Sequence, residues 1–378
     1  MPLYLDDQQS MLRDSARAFV GETAPIAHMR GLRDAKEPKG YAPALWKQFS
    51  EMGFTGMLIP EAEGGLGLGA VEAGIVLEEI GRNLTPSPFL STAIGAVEAL
   101  KAGSAAQRGR WFPAILSGDA VAALAIDERA KHRPAATALT AERAGNGFRL
   151  SGAKTFVTHG HVADLVVVAA RTAGRAGDTE GITLFAIEKG AAALHAEPRR
   201  LADASIVADL RFDGVEVSAD AVIGEIDGGW GPLTAILDSV RVGAAAELLG
   251  VGAGAMDMTV GYLKERKQFG QTIGSFQALQ HRAAHLYAEL EVARAAILKA
   301  QQLVDAADAR AEEAVMVAKA MAGLATTLAV QEGVQMHGGI GMTDEYNIGF
   351  YMKRGRVLAE SFGDTDFLAD QIARRAGY

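Results

Sequence analysis

Three textures of hydrophobic spacing follow one another along the chain. From residue 5 to about 117, Leu5, Met11, Leu12, Phe19 and Val20 recur at helical spacing among charges, and Ala44–Met52 and Val71–Arg82 repeat the rhythm. A glycine-rich turn, Pro60 to Gly69, separates those two segments, and Pro86 and Pro88 break the chain after them. Near Gly118 the spacing changes. Val121–Ile126, Phe148–Leu150, Lys154–Thr158, Leu165–Ala170, Ile182–Ile187 and Val207–Phe212 are short Val-, Ile- and Phe-rich runs split by Gly, Asn and Asp, which predicts strands. From Pro232, a residue suited to a first helical turn, helices are expected at about 233–267, 276–308 and 312–337, and again from about Asn347. The expected fold is therefore α+β and multidomain: an N-terminal all-α domain (1–117), a middle β-barrel (118–228) and a C-terminal four-helix bundle (229–378).

Composition narrows the chemistry. The 378 residues exceed what one compact core accommodates. Cysteine is absent, which removes disulfides, thiolate metal sites and a thiol nucleophile, and suits a reducing cytoplasm. A net charge of −9 argues against nucleic acid as the partner. The N-terminus carries acids where a signal peptide needs bases, and no apolar run is expected to reach the length of a membrane span. A cytoplasmic enzyme without a membrane part is expected.

Several motifs fail on inspection. Gly65, Gly67 and Gly69 do not fit G-x-G-x-x-G and lie between helices; Gly250, Gly252 and Gly254 lie within one, where small residues permit close packing. His281 and His285 share a helix face but have no carboxylate at a telling spacing, so no metal site is expected. There is no G-x-S-x-G. Two segments remain. Lys264–Gln280 ends one helix and starts the next around Gly270 and Gly274. Arg266 at such a corner fits either a pyrophosphate site or a solvated helix–helix turn. Gln335–Thr343 places three glycines after a long helix where a C-cap needs one, which favours a turn that meets a ligand.

Together these segments carry a resemblance. R-K-Q-F-G with F-Q-A-L-Q, followed some sixty residues later by Q-M-H-G-G-I-G, is similar to the acyl-CoA dehydrogenase family. P-E-A-E-G-G-L-G-L-G near the start and G-A-K-T-F-V-T-H-G at Gly152–Gly160 agree in order and spacing. The H-G-G-I-G-M-T-D-E run and F-G-D resemble the small-subunit type of heteromeric members, as in pimeloyl-CoA dehydrogenase. The resemblance implies FAD as cofactor, held between the barrel of one subunit and the bundle of its neighbour. By it, Arg266, Gln268, Phe269 and Gln277 meet the nucleotide across the dimer, and Gln335, Gly338 and Gly339 form the adenosine-pyrophosphate turn. Phe156 (in place of the usual tryptophan), Val157 and Thr158 lie beside the flavin ring, and Arg241 flanks the acyl-CoA. The implied partners are an acyl-CoA from fatty-acid, steroid or dicarboxylate catabolism, an electron-transfer flavoprotein as acceptor, and further chains in a homo-oligomer or heterotetramer.

Two departures bear on activity. The family's T-E-P-G-x-G-S segment is Ile126–Arg133 here, with Glu128 retained and the glycines and serine lost. The glutamate that takes the α-proton is replaced as well: its usual position is Phe362, and its alternative position is Val240. Asp364, two residues on, is the first substitute considered, against a plain role as a capping aspartate. Glu247 is the second, one heptad past Val240 and roughly 10 Å along the axis at ~1.5 Å per residue; Glu360 is the third. The backbone N–H of Phe362 remains able to polarise a thioester. Three functions stay open: a dehydrogenase with a relocated base, a partner subunit whose companion supplies the glutamate, and a flavin oxidase or monooxygenase on the same scaffold.

Overall fold

A computed structural model describes residues 3–378. Helices α1 (Asp7–Thr23), α2 (Ile26–Asp34), α3 (Pro43–Glu51) and α4 (Ala70–Arg82) come first; a buried π-helical stretch, Leu90–Ala96, precedes α5 (Val97–Lys101) and α6 (Ala105–Leu116). The strands are β1 (Ala122–Ala125), β2 (Thr140–Ala144), β3 (Gly147–Thr158), β4 (Leu165–Arg171), β5 (Ile182–Glu188), β6 (Leu194–Arg200), β7 (Ile206–Ser218) and β8 (Val222–Ile223). The long helix α7 (Trp230–Glu265) leads to a hairpin of β9 (Lys267–Gln268) and β10 (Gln271–Thr272). Helices α8 (Gln277–Asp305), α9 (Ala311–His337), α10 (Ile348–Glu360) and α11 (Thr365–Arg375) complete the chain.

Packing groups these elements into two compact units, one of residues Leu32–Gly69 and Pro86–Val240, the other of residues up to Gly31, Ala70–Thr85 and Arg241–Tyr378. The first is organised by one eight-stranded sheet in the order β6-β7-β3-β2-β4-β5-β8, with β1 parallel to β4. Its core gathers the inward side chains of β2, β3, β4, β5 and β7, with Phe148 and Phe185 edge to face at 5.2 Å. Strands β4 and β5 are buried along nearly their whole length, which is why they read as continuous apolar runs. In the turn before α4, a Cβ on Gly65 would stand 2.1 Å from Ile59 O, so this glycine serves close backbone packing.

The second unit is helical. Asp6 starts α1 with a capping box, accepting from Gln9 N at 2.8 Å while Gln9 Oε1 accepts from Asp6 N. Helices α4 and α7 cross at backbone contact: a Cβ on Gly81 would lie 2.1 Å from Glu247 O, and one on Gly250 1.9 Å from Glu78 O. The mid-helix glycines of α7 are therefore packing glycines. Contrary to the expectation from sequence, Ala311–Met342 is long and apolar enough by composition to cross a membrane. More than half of that apolar window is buried, and it carries Lys319. Its hydrophobicity is that of a helix covered on several sides, which an amphipathic pattern does not reveal.

Replacing Gly250 by Ala tests this crossing. Helix propensity alone predicts a gain of about 1 kcal/mol; the contact with Glu78 O predicts a net loss of about 2 kcal/mol. The urea midpoint should fall, and a rise would mean the helices are free to separate.

Candidate active site

The two ligand-turn motifs meet at one end of the helical unit. Tyr262, in the last turn of α7, stacks on His337, the last residue of α9, with ring centroids 4.5 Å apart, and Tyr346 closes on both at 5.9 and 4.8 Å. His337 is buried, and its Nδ1–H donates to Gly333 O at 2.6 Å; burial pushes its pKa down. This aromatic joint ties the end of α7, which leads into the β9–β10 hairpin, to the end of α9, which leads into the turn at Gly338. Arg266, Gln277 and Gln335 are solvent-exposed, with side chains committed to no other group among the described residues. Gln268 Nε2 donates only to Lys267 O, and Phe269, at φ +53, is 91% exposed. Gly338 has φ +65, and a Cβ on Gly338 or Gly339 would meet nothing within 4 Å. The sequence-predicted nucleotide residues of this unit are thus individually exposed, with side chains or backbone open to a ligand.

Arg241, of α7, stands in the same unit with the turn between α10 and α11. It is 5% exposed; its Nε donates to Phe362 O at 3.0 Å, and its guanidinium carbon lies 6.0 Å from the Phe367 ring centroid. Phe362 is left-handed at φ +58, followed by Gly363 at φ +110. A non-glycine residue in that region costs about 1–2 kcal/mol, and the bond from Arg241 helps hold it. The Phe362 N–H donates to no other atom among the described residues, so the turn presents a free backbone donor.

The carboxylates weighed as substitutes are all engaged. Asp364 is the N-cap of α11 and accepts from Phe367 N at 2.8 Å, the capping role set against catalysis above. Glu247 is buried and accepts from Arg354 Nε at 2.9 Å, its backbone lying under Gly81. Glu360 pairs with Arg356 at 2.9 Å on the last turn of α10. Val240, of the sheet-bearing unit, is fully buried and lies 3.0 Å from where a Cβ on Gly95 would be.

In the sheet-bearing unit, β3 bulges against β7 between Lys154 and Val157, and Phe156 takes φ +54 there. The bulge turns Phe156 and Thr158 outward and Val157 into the core. Beside it, the segment from Ile126 is tied down. Lys154 is fully buried and donates to Ile126 O at 2.9 Å and to Glu128 at 2.8 Å; Glu128 also accepts from Ala138 N and Leu139 N. Burial lowers the Lys154 pKa, opposed by Glu128. Asp127 O accepts from Thr155 N at 2.8 Å, and its carboxylate holds Nδ1 of the buried His132 at 2.8 Å. An Asp–His pair thus occupies the loop where the family resemblance implies glycines and a serine.

Sequence reasoning missed Lys319. This side chain is 1% exposed, and its Nζ donates to Leu358 O at 3.2 Å and Ala359 O at 3.1 Å, capping α10 just before the Phe362 turn. Burial pushes its pKa down to about 7, Arg241 pushes the same way, and Asp364 and Glu360 oppose. The available signal was a lone lysine in an apolar stretch of α9, which also fits a surface position.

Comparison with known proteins gives the family context. Family models for the acyl-CoA dehydrogenase N-terminal, middle and C-terminal domains match residues 6–119, 123–215 and 227–377. Acyl-CoA dehydrogenase IpdE2 of Mycobacterium tuberculosis is 30% identical, over 94% of this chain and 92% of that protein. Among solved structures, the Tcur3481-Tcur3483 steroid ACAD variant superposes with TM-score 0.89 at 29% identity, over 98% of this chain and 99% of that one. The ChsE4-ChsE5 complex from Mycobacterium tuberculosis gives 0.89 at 25% identity, over 100% and 99%.

The Lys319 environment has a pH signature. The ordinary lysine pKa of 10.5 applies to the unfolded chain, so between about pH 7 and 10.5 the unfolded state holds more protons and stability rises with pH. Lys319→Met should remove that part of the rise. Urea midpoints at about pH 7 and pH 9.5 should increase more in the parent chain than in the variant, and parallel increases would contradict the assignment.

Proposed function

The chain belongs to the acyl-CoA dehydrogenase family, and from that premise we propose that it is one subunit of a heteromeric, FAD-dependent acyl-CoA α,β-dehydrogenase whose companion chain carries the proton-accepting glutamate. The observation that carries this reading is the Phe362 turn. Its backbone donor is held in place by Arg241, while Phe362 itself has no proton-accepting group and Asp364, Glu247 and Glu360 are each tied to a cap or an arginine. A carboxylate already paired in this way is a poor base, because both its position and its proton affinity are set by the partner it holds.

The residues of the helical unit suit the nucleotide part of FAD. Arg266 provides a fixed charge for a pyrophosphate, Gln268, Gln277 and Gln335 provide amide donors and acceptors, Phe269 provides an exposed ring, and the open backbone at Gly338 and Gly339 admits a ligand closely. Phe156, Val157 and Thr158 would border the ring system, with the exposed Thr158 hydroxyl as hydrogen-bonding group. FAD, when bound, supplies the acceptor for the β-hydride of the thioester. Arg241 flanks the acyl-CoA and keeps the Phe362 N–H directed for the thioester oxygen, as a preorganised dipole. The two halves have fared differently: the nucleotide corner keeps its whole motif set, whereas the loop beside Phe156 has exchanged glycine and serine for the Asp127–His132 pair. A chain that lends its nucleotide corner to a neighbour's flavin needs only the first half. Two further points favour a companion chain. The helical unit exposes Phe269, Tyr287, Leu324 and Met342, and two of the similar structures are named as pairs of chains.

Purification of this chain alone and together with a co-encoded acyl-CoA dehydrogenase chain tests the proposal. The chain alone should not bleach flavin with acyl-CoA, and the pair should. Arg266→Ala in this chain should lower the flavin content of the pair several-fold, and Asp364→Asn, if the pair stays folded, should leave turnover within about twofold. Bleaching by the isolated chain, abolished in Asp364→Asn, would replace the proposal with a relocated base.

A further inference from the structure

The helical unit contains a cavity of about 500 Å3 between α1, α4, α7 and α8, on which the function proposed above makes no demand. Leu5, Val71, Ile75, Leu249 and Leu298 supply apolar walls. Its one buried polar wall is Gln301 of α8, 5% exposed. The Gln301 amide is pressed so closely on α4 that a Cβ at Gly74 would stand 1.8 Å from Nε2. Gly74 is thus the residue that makes room for the amide. Yet the amide hydrogen-bonds to no other group among the described residues. The little surface that Gln301 keeps leaves its amide open to a molecule in this largely apolar cavity. Such a group gains a directed hydrogen bond if a bound molecule pairs with it.

The rim indicates the charge of that molecule. Arg294 is held by Glu78 at 2.7 Å and by Glu291 at 3.2 Å, Arg17 by Glu79 at 3.0 Å, and Arg13 by Asp14 at 3.0 Å. Every cation is matched by a carboxylate, so the opening selects neither an anionic nor a cationic head group. The volume lies in the range of small-molecule sites, about 300–1,000 Å3. We propose that this cavity binds a neutral, linear amphipath, an aliphatic chain ending in an amide or alcohol, with the head group paired to the Gln301 amide. A primary amide fits best, since it returns both a donor and an acceptor to the glutamine. The occupant would pack against Ala246 and Leu249 of α7, on either side of the Glu247–Arg354 pair in sequence.

Isothermal titration of the full chain with octanamide and with 1-octanol is the test. Octanamide should bind once per chain, about tenfold more tightly than 1-octanol, as expected for one additional hydrogen bond. Gln301→Met should weaken octanamide about tenfold and bring the two probes to similar affinities. Ile75→Trp should fill the cavity and abolish both; Val71→Phe serves the same purpose if that variant does not fold. No saturable heat with either probe would overturn the proposal and leave the cavity to water. So would binding that survives the filled cavity, or a preference for octanamide unchanged by Gln301→Met.

Discussion

The bond from Arg241 to the carbonyl of Phe362 organises the candidate active site. It spans 121 residues of sequence and fixes a left-handed, non-glycine backbone that would otherwise relax. Its consequences run in both directions along the turn. Before it, Lys319 holds the last carbonyls of α10; after it, Asp364 starts α11. The turn is therefore specified by backbone contacts, and the side chain at position 362 is free to change without losing the geometry. This explains how an apolar ring can occupy the position that the family resemblance assigns to a glutamate while the surrounding architecture persists.

A buried lysine recurs in each of the two units, and the two are treated differently. Lys154 has a carboxylate partner in Glu128 and a carbonyl in Ile126. Lys319 has two carbonyls but no paired carboxylate among the described residues, and burial, with Arg241 adding to it, pushes its pKa down. The first arrangement locks a loop; the second makes the turn sensitive to proton concentration. Neither lysine is placed to serve as an exposed base, since both are fully covered.

The long helices and the wholly buried strands were legible because burial on several faces leaves an unmistakable apolar run. Edges were not. Strand β6, Leu194–Arg200, is almost entirely exposed and contains Pro198, so neither alternation nor composition marks it; its pairing with β7 alone makes it a strand. Strand β2 alternates weakly and was likewise missed. The two predicted runs Phe148–Leu150 and Lys154–Thr158 are one strand, because a glycine at φ +139 and a bulge bend β3 without ending it. A last helix was expected from about Asn347 without an assigned end; Phe362 and Gly363 divide that segment into α10 and α11, and a phenylalanine at positive φ has no signature in sequence. At the site, motif residues were legible one by one. The stack of Tyr262, His337 and Tyr346 that joins two of the motifs, and the Asp127–His132 pair in the altered loop, depend on contacts no spacing reports.

The proposed division of labour leaves this chain with a backbone donor at Phe362 and no proton acceptor for the substrate. The most direct measurement is deuterium incorporation at the α-carbon of an acyl-CoA incubated with the isolated, flavin-reconstituted chain in heavy water. Exchange should be no faster than in buffer, even where binding is saturated. Exchange well above that background would show a base within reach of the substrate and would rule out that division of labour.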